Sequence, residues 1–320
     1  MSQPLSPCRW STTVSLIRLE GADVLRFLHG QSSQALAQAS PGQTLATALT
    51  SPTARMRGLA LVLVRARAAD LLVLSGDGQA IRQGLDRVLF PADQVTLGPP
   101  EPALLVRWLG ASPPDGEAAA GGGEAAAGGG EAAAGGGELL RPGVDLGAGA
   151  DQPALLLRGQ EQLPDWLAPL PQLSAEAIEL QRIRSGFPSQ PEEINDDTNP
   201  FELGLAAWVS LNKGCYVGQE TLAKLATYDG VKQQLRHWRW QPNPAAPAPM
   251  PERGTSITTA DGQRAGAISS CLATAAGAEG LALVRRVALD QPELWAGSAQ
   301  LTISTPAAFI SPPQAAGGRP

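Results

Sequence analysis

The sequence predicts an α+β protein with a mixed helix-and-strand body followed by a smaller β-rich domain. Helix-like and strand-like segments alternate over most of the first 235 residues, whereas strand-like segments dominate residues 236–311. A proline-rich loop, residues 241–254, marks the change of composition near the boundary. We expect one domain over residues 1–235, a second over residues 236–311, and a disordered tail over residues 312–320.

Composition excludes several classes of protein. Apolar residues make up 43% of the 320 residues, which is enough to bury a substantial core. The net charge of −6 argues against general binding to nucleic acids or membrane surfaces, because such proteins usually carry a basic face. No apolar run reaches the roughly 18 residues of a membrane helix, and the N-terminus lacks the apolar region of a secretory signal. We expect a cytoplasmic monomer.

The cysteines are few and far apart. There are three, Cys8, Cys215 and Cys271, and no two of them form a C-x-x-C pair. This odd number and wide spacing argue against a disulfide framework and fit a reducing compartment. The only histidines are His29 and His237. The chain therefore cannot readily build a four-ligand zinc site or a four-thiolate iron–sulfur site by itself.

The first part of the body alternates between strands and helices. Residues 21–30 predict a short helix with Asp23 as its N-cap and Gly30 as its end. Residues 77–90 predict an amphipathic helix whose apolar face comprises Ile81, Leu85, Val88 and Leu89. Apolar runs predict strands over residues 43–50, 57–65, 69–76, 94–98 and 103–110.

A repeated segment interrupts the body. Residues 117–137 contain three copies of EAAAGGG. Each EAAA stretch favours a helix, but GGG ends it after one turn, which is too short to nucleate a helix. An apolar seam for a coiled coil is missing. We predict a flexible insertion over residues 111–138 that acts only as a spacer.

The rest of the body predicts helices that surround a polar motif. Residues 199–212 predict a helix because Asn199 and Glu202 occupy the positions of a capping box, and this helix would lead directly into the motif. Its expected apolar face comprises Phe201, Leu205, Trp208 and Val209. Further predictions are a strand over residues 152–159, a helix over 173–186 and a helix from 219 to 228. Strands are predicted within residues 234–241, 255–270, 280–289 and 299–304.

The motif is KGCYVGQE, residues 213–220, and its cysteine has two interpretations. A lone cysteine is most often a buried structural thiol. Alternatively, Cys215 is a reactive thiolate whose pKa the neighbouring Lys213 lowers. A Cys–His hydrolase is less favoured, since neither His29 nor His237 lies in a recognisable partner motif.

This motif resembles the signature of the YgfZ family, folate-binding proteins related to the glycine-cleavage T-protein, which is an aminomethyltransferase. Similar family segments occur at residues 23–36, 49–64, 182–194 and 261–286. The resemblance implies a folate-binding body of more than one subdomain, followed by a small β-barrel domain. It also implies tetrahydrofolate or another reduced folate as ligand, and iron–sulfur assembly or client proteins as partners.

The resemblance further implies roles for individual residues. Cys215 is expected to be the reactive thiolate, and Glu202 to accept hydrogen bonds from the amide and amino edge of the pterin, in competition with its capping-box role. Arg236 and Arg182 are expected near the anionic folate tail, with a solvated arginine as the alternative for each. Local structure equally explains the remaining candidates, which are Gln31, Lys213, Tyr216, Gln219 and Glu220.

Two departures from the family pattern limit what is carried over. The T-protein has an acidic pair where Arg57 and Gly58 stand in this sequence, and the segment after residue 31 has Ser33 and Gln34 in place of an acidic end. Iminium chemistry on the folate lacks its electrostatic partner without that acid. We therefore expect a folate-binding accessory protein in iron–sulfur assembly or repair. The alternative is a folate-dependent aminomethyltransferase or demethylase.

Overall fold

The computed structural model describes residues 7–112, 137–147, 152–245 and 247–311. Almost all of the predicted flexible insertion and the whole predicted tail therefore lie outside the described residues. Within the described ranges, no helix combines the length and the apolar character needed to cross a membrane.

The body is built on a seven-stranded sheet in which every pair of neighbours is antiparallel. Its strand order is β2-β3-β4-β1-β5-β7-β6. The strands are β1 (Cys8–Glu20), β2 (Thr44–Thr50), β3 (Met56–Arg65), β4 (Ala68–Gly76), β5 (Thr96–Leu109), β6 (Glu138–Leu140) and β7 (Ala154–Arg158). The predicted α+β class is confirmed, because the helices lie outside this antiparallel sheet instead of connecting parallel strands.

Two features of the sheet differ from the sequence prediction. Strand β1 lies in the middle of the sheet but was not predicted, although polar and apolar residues alternate along parts of it. The separate strands predicted at 94–98 and 103–110 form one strand, β5. The N-terminal half of β5 pairs with β1 and not with β7. Pro100 and Pro102, which have no backbone N–H, therefore deprive no strand on the β7 side of a hydrogen bond.

Four α-helices accompany the sheet: α1 (Val24–Gln31), α2 (Gly78–Asp86), α3 (Ala175–Ser185) and α4 (Gln219–Thr227). Helix α3 ends at Gly186 in the left-handed conformation, as predicted. Helix α1 extends past Gly30, and the Asp23 side chain accepts a hydrogen bond from the Gln94 amide instead of capping the helix. Helix α2 ends before Val88, which is exposed.

The helix predicted over residues 199–212 is wrong, although its cap is present. The Asn199 side chain accepts from the Glu202 amide at 3.1 Å, and the Glu202 carboxylate accepts from the Asn199 amide at 3.0 Å. The turn does not propagate, because Gly204 adopts a left-handed φ of 76° and its α-carbon packs against the Phe309 ring. Only a short 3₁₀ turn follows, Ala206–Trp208.

The C-terminal domain is a closed six-stranded barrel, and the predicted small β-barrel domain is confirmed. Its order is β10-β11-β8-β13-β12-β9. The strands are β8 (Gln233–Trp240), β9 (Ser256–Thr258), β10 (Arg264–Thr274), β11 (Gly277–Arg285), β12 (Glu293–Ala296) and β13 (Ala299–Ser304). Buried Glu193 of the body accepts hydrogen bonds from Ser269 and Ser270 of the barrel, both at 2.6 Å, which fixes the two parts against each other.

Candidate functional site: an anchored cysteine loop beside a cleft

The motif loop lies between α4, the end of α1 and the turn that joins β2 to β3. The Val217 amide donates to the Gly30 carbonyl at 3.1 Å, and the Thr50 hydroxyl donates to the Val217 carbonyl at 2.9 Å. Gly218 has φ of +86°, and a Cβ at this position would approach the Thr50 hydroxyl to 2.7 Å. Glycine is therefore required where the loop turns into α4.

Lys213 is the principal anchor of this loop. Its ammonium donates to the carbonyls of His29, Ser32 and Gln34 at 2.5, 2.7 and 2.7 Å, which uses all three of its hydrogens. The same nitrogen lies 4.4 Å from the centroid of the Tyr216 ring. Burial lowers the pKa of Lys213 to about 7, whereas the three carbonyls and the ring face favour the charged form. Lys213 was expected to stabilise the Cys215 thiolate, but its donors are committed to the backbone.

Tyr216 points inward from the loop. Burial raises its pKa to about 12, and its hydroxyl has no hydrogen-bond partner within the described part of the chain. The ring packs in an apolar cluster with Ala54, Phe201, Leu222, Ala226 and Val231. Tyr216 therefore holds the loop against α4 and the turn at residue 201.

Gln219 and Glu220 begin α4, and their side chains contact different partners. The Gln219 side-chain amide donates to the Lys213 carbonyl at 3.2 Å, which closes the loop on itself. Glu220 is exposed and pairs with Lys224 one turn later at 2.6 Å, and this lysine lowers the pKa of the Glu220 carboxyl. That arrangement fits the interpretation of Glu220 as a helix-start residue.

Cys215 is the exposed cysteine of the three. Cys8 is buried, and burial raises its pKa. Cys271 is partly buried, its thiol donates to the Pro251 carbonyl at 3.0 Å, and burial raises its pKa as well. The fold thus presents one thiol to solvent, on a loop that its neighbours hold in place.

His29 is a neighbour of the motif that the sequence did not single out. Its Nδ1 accepts from the amides of Leu36 and Ala37, each at 3.1 Å, and this requires a neutral ring. Burial lowers the pKa of His29, and the Lys213 charge adds to that effect. A Cβ on Gly214 would lie 3.6 Å from His29 Nε2, so the imidazole borders the loop. Only the tertiary fold reveals this proximity.

A cleft of about 700 Å³ opens beside the motif, and we call it the motif cleft. The residues that define it are Gln31, Thr50, Arg57, Asp77, Asp196 and Val217. Apolar side chains from β2, β3, α2 and the loop after α3 form the rest of its wall, including Leu49, Met56, Ile81 and Ile194. Arg57 pairs with Asp196 at 2.6 Å. Of the expected folate-binding residues, Gln31 belongs to this wall.

Glu202 lies in a second cleft of about 750 Å³, between the body and the barrel. Arg55, Lys232 and Arg286 line the same cleft. Burial raises the pKa of Glu202, and the hydrogen bond from the Asn199 amide acts in the opposite direction. The structure therefore places Glu202 in a different cleft from the one beside the motif.

Arg182 and Arg236 are both held by the protein itself. All five N–H donors of Arg182 have acceptors, which are Glu179, Phe187, Glu193 and Ser270. Arg236 is buried against the Phe309 ring at 5.0 Å and donates to Leu235 and Gln234. Neither guanidinium presents a bidentate face to a ligand in this arrangement. Elsewhere in the described ranges, no group of three or more His, Cys, Asp and Glu side chains could hold a metal ion.

Comparisons with known proteins agree with the overall fold. Residues 239–309 match the family described as CAF17, C-terminal beta-barrel domain. A chloroplastic protein of Arabidopsis thaliana, named as a transferase, is 30% identical over 262 residues. That alignment covers 79% of this chain and 59% of the relative, so the chain spans little more than half of the relative's length.

The body and barrel together also match a solved structure. Glycine cleavage system aminomethyltransferase T from Bartonella henselae superposes with a TM-score of 0.70, covering 96% of this chain and 87% of that chain. The two sequences are 17% identical, so the similarity establishes a shared fold.

Proposed function

We propose that this chain is a YgfZ-like protein related to the glycine-cleavage T-protein, and that it binds a reduced folate and serves iron–sulfur cluster assembly or repair. The observation that carries the proposal is the presentation of Cys215. The fold buries or hydrogen-bonds its other two thiols and exposes this one on a loop that Lys213 anchors through three carbonyls. An exposed, positioned thiol suits contact with sulfur or iron on another molecule.

The motif cleft supports a folate as the ligand. Its volume of about 700 Å³ is typical of a cofactor site, and its wall combines apolar side chains with a few polar groups. The amide and amino edge of a pterin donates hydrogen bonds, for which the carboxylates of Asp77 and Asp196 are suitable acceptors. A bound folate carries one-carbon units, and these residues would bind and orient it.

Glu202 is the competing pterin acceptor. Its carboxylate is buried in the second cleft, which is also large enough for a folate and is lined by the cations Arg55, Lys232, Arg285 and Arg286. However, one of its oxygens already accepts the Asn199 amide. We place the pterin in the motif cleft, whose wall includes Val217 of the motif, and use Glu202 as the contrasting position in the test.

Cys215 acts with partners in this proposal. One thiolate supplies one of the four protein ligands that a cluster usually takes, so the other ligands come from another protein. The anchored loop limits the positions that the sulfur can adopt, which favours contact with a docked partner over random oxidation. Lys213 is a positioning residue here, because its ammonium contacts the backbone.

The aminomethyltransferase alternative finds less support in the motif cleft. Where the T-protein carries its acidic pair, Arg57 pairs with Asp196, and a Cβ on Gly58 would approach Ile81 to 2.8 Å. An acidic side chain at residue 58 would therefore collide with α2. Turnover of a methylamine donor with tetrahydrofolate by the purified protein would establish the alternative.

The test combines folate binding with cellular iron–sulfur activity. Calorimetric titration with tetrahydrofolate is expected to show binding that Asp196→Asn weakens about tenfold and that Glu202→Gln leaves within about twofold. Cys215→Ser is expected to keep folate affinity but to lower the activities of iron–sulfur enzymes in cells that depend on this protein. Cys271→Ser is the matched control. Unchanged enzyme activities with a folded Cys215→Ser variant would refute the role of the thiol, and absent binding would refute the folate.

A further inference from the structure

We propose that the rim of the second cleft, where the body meets the barrel, is a docking surface for an acidic segment of a partner protein that also carries an apolar side chain. This inference rests on the proposed function, because it names the chemistry of the partner that Cys215 meets. We call the rim the junction surface and define it by Tyr228, Lys232, Arg285, Arg286 and Val287.

The junction surface carries the two most exposed large hydrophobic side chains of the described residues. Tyr228 is 78% exposed and Val287 is 76% exposed. Their neighbours in the chain, Asp229 and Arg286, form an ion pair, so the two hydrophobic side chains flank one contact. Single exposed hydrophobic residues are ordinary on a protein surface. A pair of them beside a cleft with several arginines is typical of an interface, where tyrosine and arginine are enriched.

Hydrogen bonds hold the junction surface in place before a partner binds. The Arg286 guanidinium donates to the Asp229 carbonyl at 2.6 Å, and the Arg286 amide donates to the Lys232 carbonyl at 2.8 Å. Val231, in the wall of the same cleft, packs in one apolar cluster with Tyr216 of the motif. A surface that is already ordered loses less conformational entropy on binding, which favours its use as a docking surface.

The charge of the junction surface selects an acidic partner. The second cleft is lined by three carboxylates and by four cations, which are Arg55, Lys232, Arg285 and Arg286. Among the described residues, neither Lys232 nor Arg285 has a carboxylate within ion-pair distance, and both are exposed. The chain as a whole carries a net charge of −6, so this cationic surface is a local feature. Carboxylates of a partner gain ion pairs here, whereas the net charge of the chain repels them.

Helix α4 connects the junction surface to the motif. Cys215 precedes the start of α4 at Gln219 by four residues, and Tyr228 directly follows the last residue of this helix. The nine residues of α4 span about 13 Å. A partner that binds at the C-terminal end of α4 is therefore within a short chain length of the exposed thiol beyond the N-terminal end.

The experiment measures how fast Cys215 forms a mixed disulfide with two synthetic peptides. Each peptide carries a cysteine activated as its 2-pyridyl disulfide, a flexible glycine–serine spacer of about ten residues that spans roughly 17 Å, and a recognition segment. Glutamates flank a phenylalanine in the acidic peptide, and glutamines flank it in the neutral peptide. Release of thiopyridone gives the rate, and mass spectrometry identifies the modified cysteine.

Docking predicts a preference that opposes the net charge of the chain. Wild-type protein is expected to react about tenfold faster with the acidic peptide than with the neutral one, and about 0.5 M NaCl is expected to remove the difference. Arg285→Glu is expected to lower the rate with the acidic peptide about fivefold and to leave the other rate within about twofold. Val287→Ser is expected to slow both reactions, because both peptides carry phenylalanine. Arg67→Glu is the matched control, since it reverses an exposed arginine in the turn between β3 and β4.

A cellular assay separates the failure of this inference from the failure of the proposed function. Arg285→Glu is expected to lower the same iron–sulfur enzyme activities as Cys215→Ser and to keep tetrahydrofolate affinity within about twofold. If only Cys215→Ser lowers these activities, the docking surface is refuted and the proposed function stands. If Cys215→Ser leaves them unchanged, the role of the thiol in the proposed function fails.

The peptide rates give further outcomes that refute the docking surface. Equal rates for the two peptides in wild-type protein, or a preference that Arg285→Glu leaves intact, refute it. Tighter binding of single-stranded oligothymidylate than of the acidic peptide, measured by fluorescence anisotropy, would overturn the assignment to a protein partner. Melting temperatures confirm that each variant folds. Should Arg285→Glu fail to fold, Lys232→Glu is judged by the same criteria.

Discussion

Replacing Lys213 by methionine tests whether this residue anchors the cysteine loop. Methionine keeps most of the apolar stem and removes the ammonium, so the carbonyls of His29, Ser32 and Gln34 lose their common donor. The Ser32 residue is only 1% exposed, so water replaces the lost donor poorly at that carbonyl. The expected result is a less stable protein with a more mobile loop.

The magnitude follows from two opposing contributions. Hydrogen bonds to a charged group contribute about 1.5–3 kcal/mol each, which gives roughly 5–9 kcal/mol for three. Burial of the ammonium opposes this gain, because a pKa lowered from 10.5 to about 7 signals a large desolvation cost. Full burial would make that cost about 5 kcal/mol, and solvent screening of this partly buried side chain reduces it. We expect Lys213→Met to lower the free energy of unfolding by about 2–3 kcal/mol.

The assay is urea unfolding of Lys213→Met beside a matched control. Lys224→Met removes an exposed lysine that pairs with Glu220 within α4, and it is expected to leave stability nearly unchanged. The rate at which Cys215 reacts with a thiol reagent in folded protein is measured in parallel and is expected to change only in Lys213→Met. Equal stabilities and equal thiol rates for the two variants would refute the anchoring role.

Three further predictions concern stability. Burial raises the pKa of the Glu202 carboxyl above its ordinary value of 4.5, so the stability that the protonated carboxyl contributes is present below pH 4.5 and is lost as pH rises through the folded pKa. Glu202→Gln should therefore lose less stability than wild type between pH 4.5 and 7. Thermal melts at several pH values measure this difference. Arg184 lowers the pKa of Glu279 to about 2, so this contribution is present above pH 4.5 and is lost as pH falls toward 2. Glu279→Gln should cost about 1–2 kcal/mol at pH 7 and become indistinguishable from wild type near pH 2, as measured by denaturant titration. Gly218→Ala should cost about 2 kcal/mol or more, because the backbone is left-handed there and the new Cβ meets Thr50, and a melting temperature equal to that of wild type would contradict this.

Much of the fold could be predicted because local signals agreed with the tertiary result. The apolar runs that became β2, β3 and β4 are buried on both faces of the sheet, so their composition alone identified them. Helix α3 had both of its ends marked in the sequence, with Ser174 capping one end and Gly186 the other. Strand β1 was missed although parts of it alternate, and its central position in the sheet depends on pairing with the distant strands β4 and β5.

The sequence predicted which residues belong to the candidate site better than it predicted which atoms they contact. The motif at residues 213–220 identified the loop, and the loop presents Cys215 to solvent. The sequence placed Lys213 beside the thiol, whereas packing turned its ammonium toward the end of α1. His29 carried no local signal for its place beside the motif, because that place arises from the packing of α1 against residues distant in the sequence. The cytoplasmic location, the monomeric state and the partners stay predictions.

The sequence by itself determined the resemblance to the YgfZ family, the chemistry available at the motif and the local capping groups. Asn199 and Glu202 formed their capping box as the spacing required, because those hydrogen bonds involve only neighbouring residues. Tertiary structure alone decided that no helix follows, because Gly204 meets the Phe309 ring from the far end of the chain. It also decided which arginine side chains have their N–H donors occupied, because the acceptors around a guanidinium come from several strands and loops. Local hydrogen bonds are thus encoded by spacing, whereas the exposure of Cys215 depends on what the rest of the fold leaves uncovered.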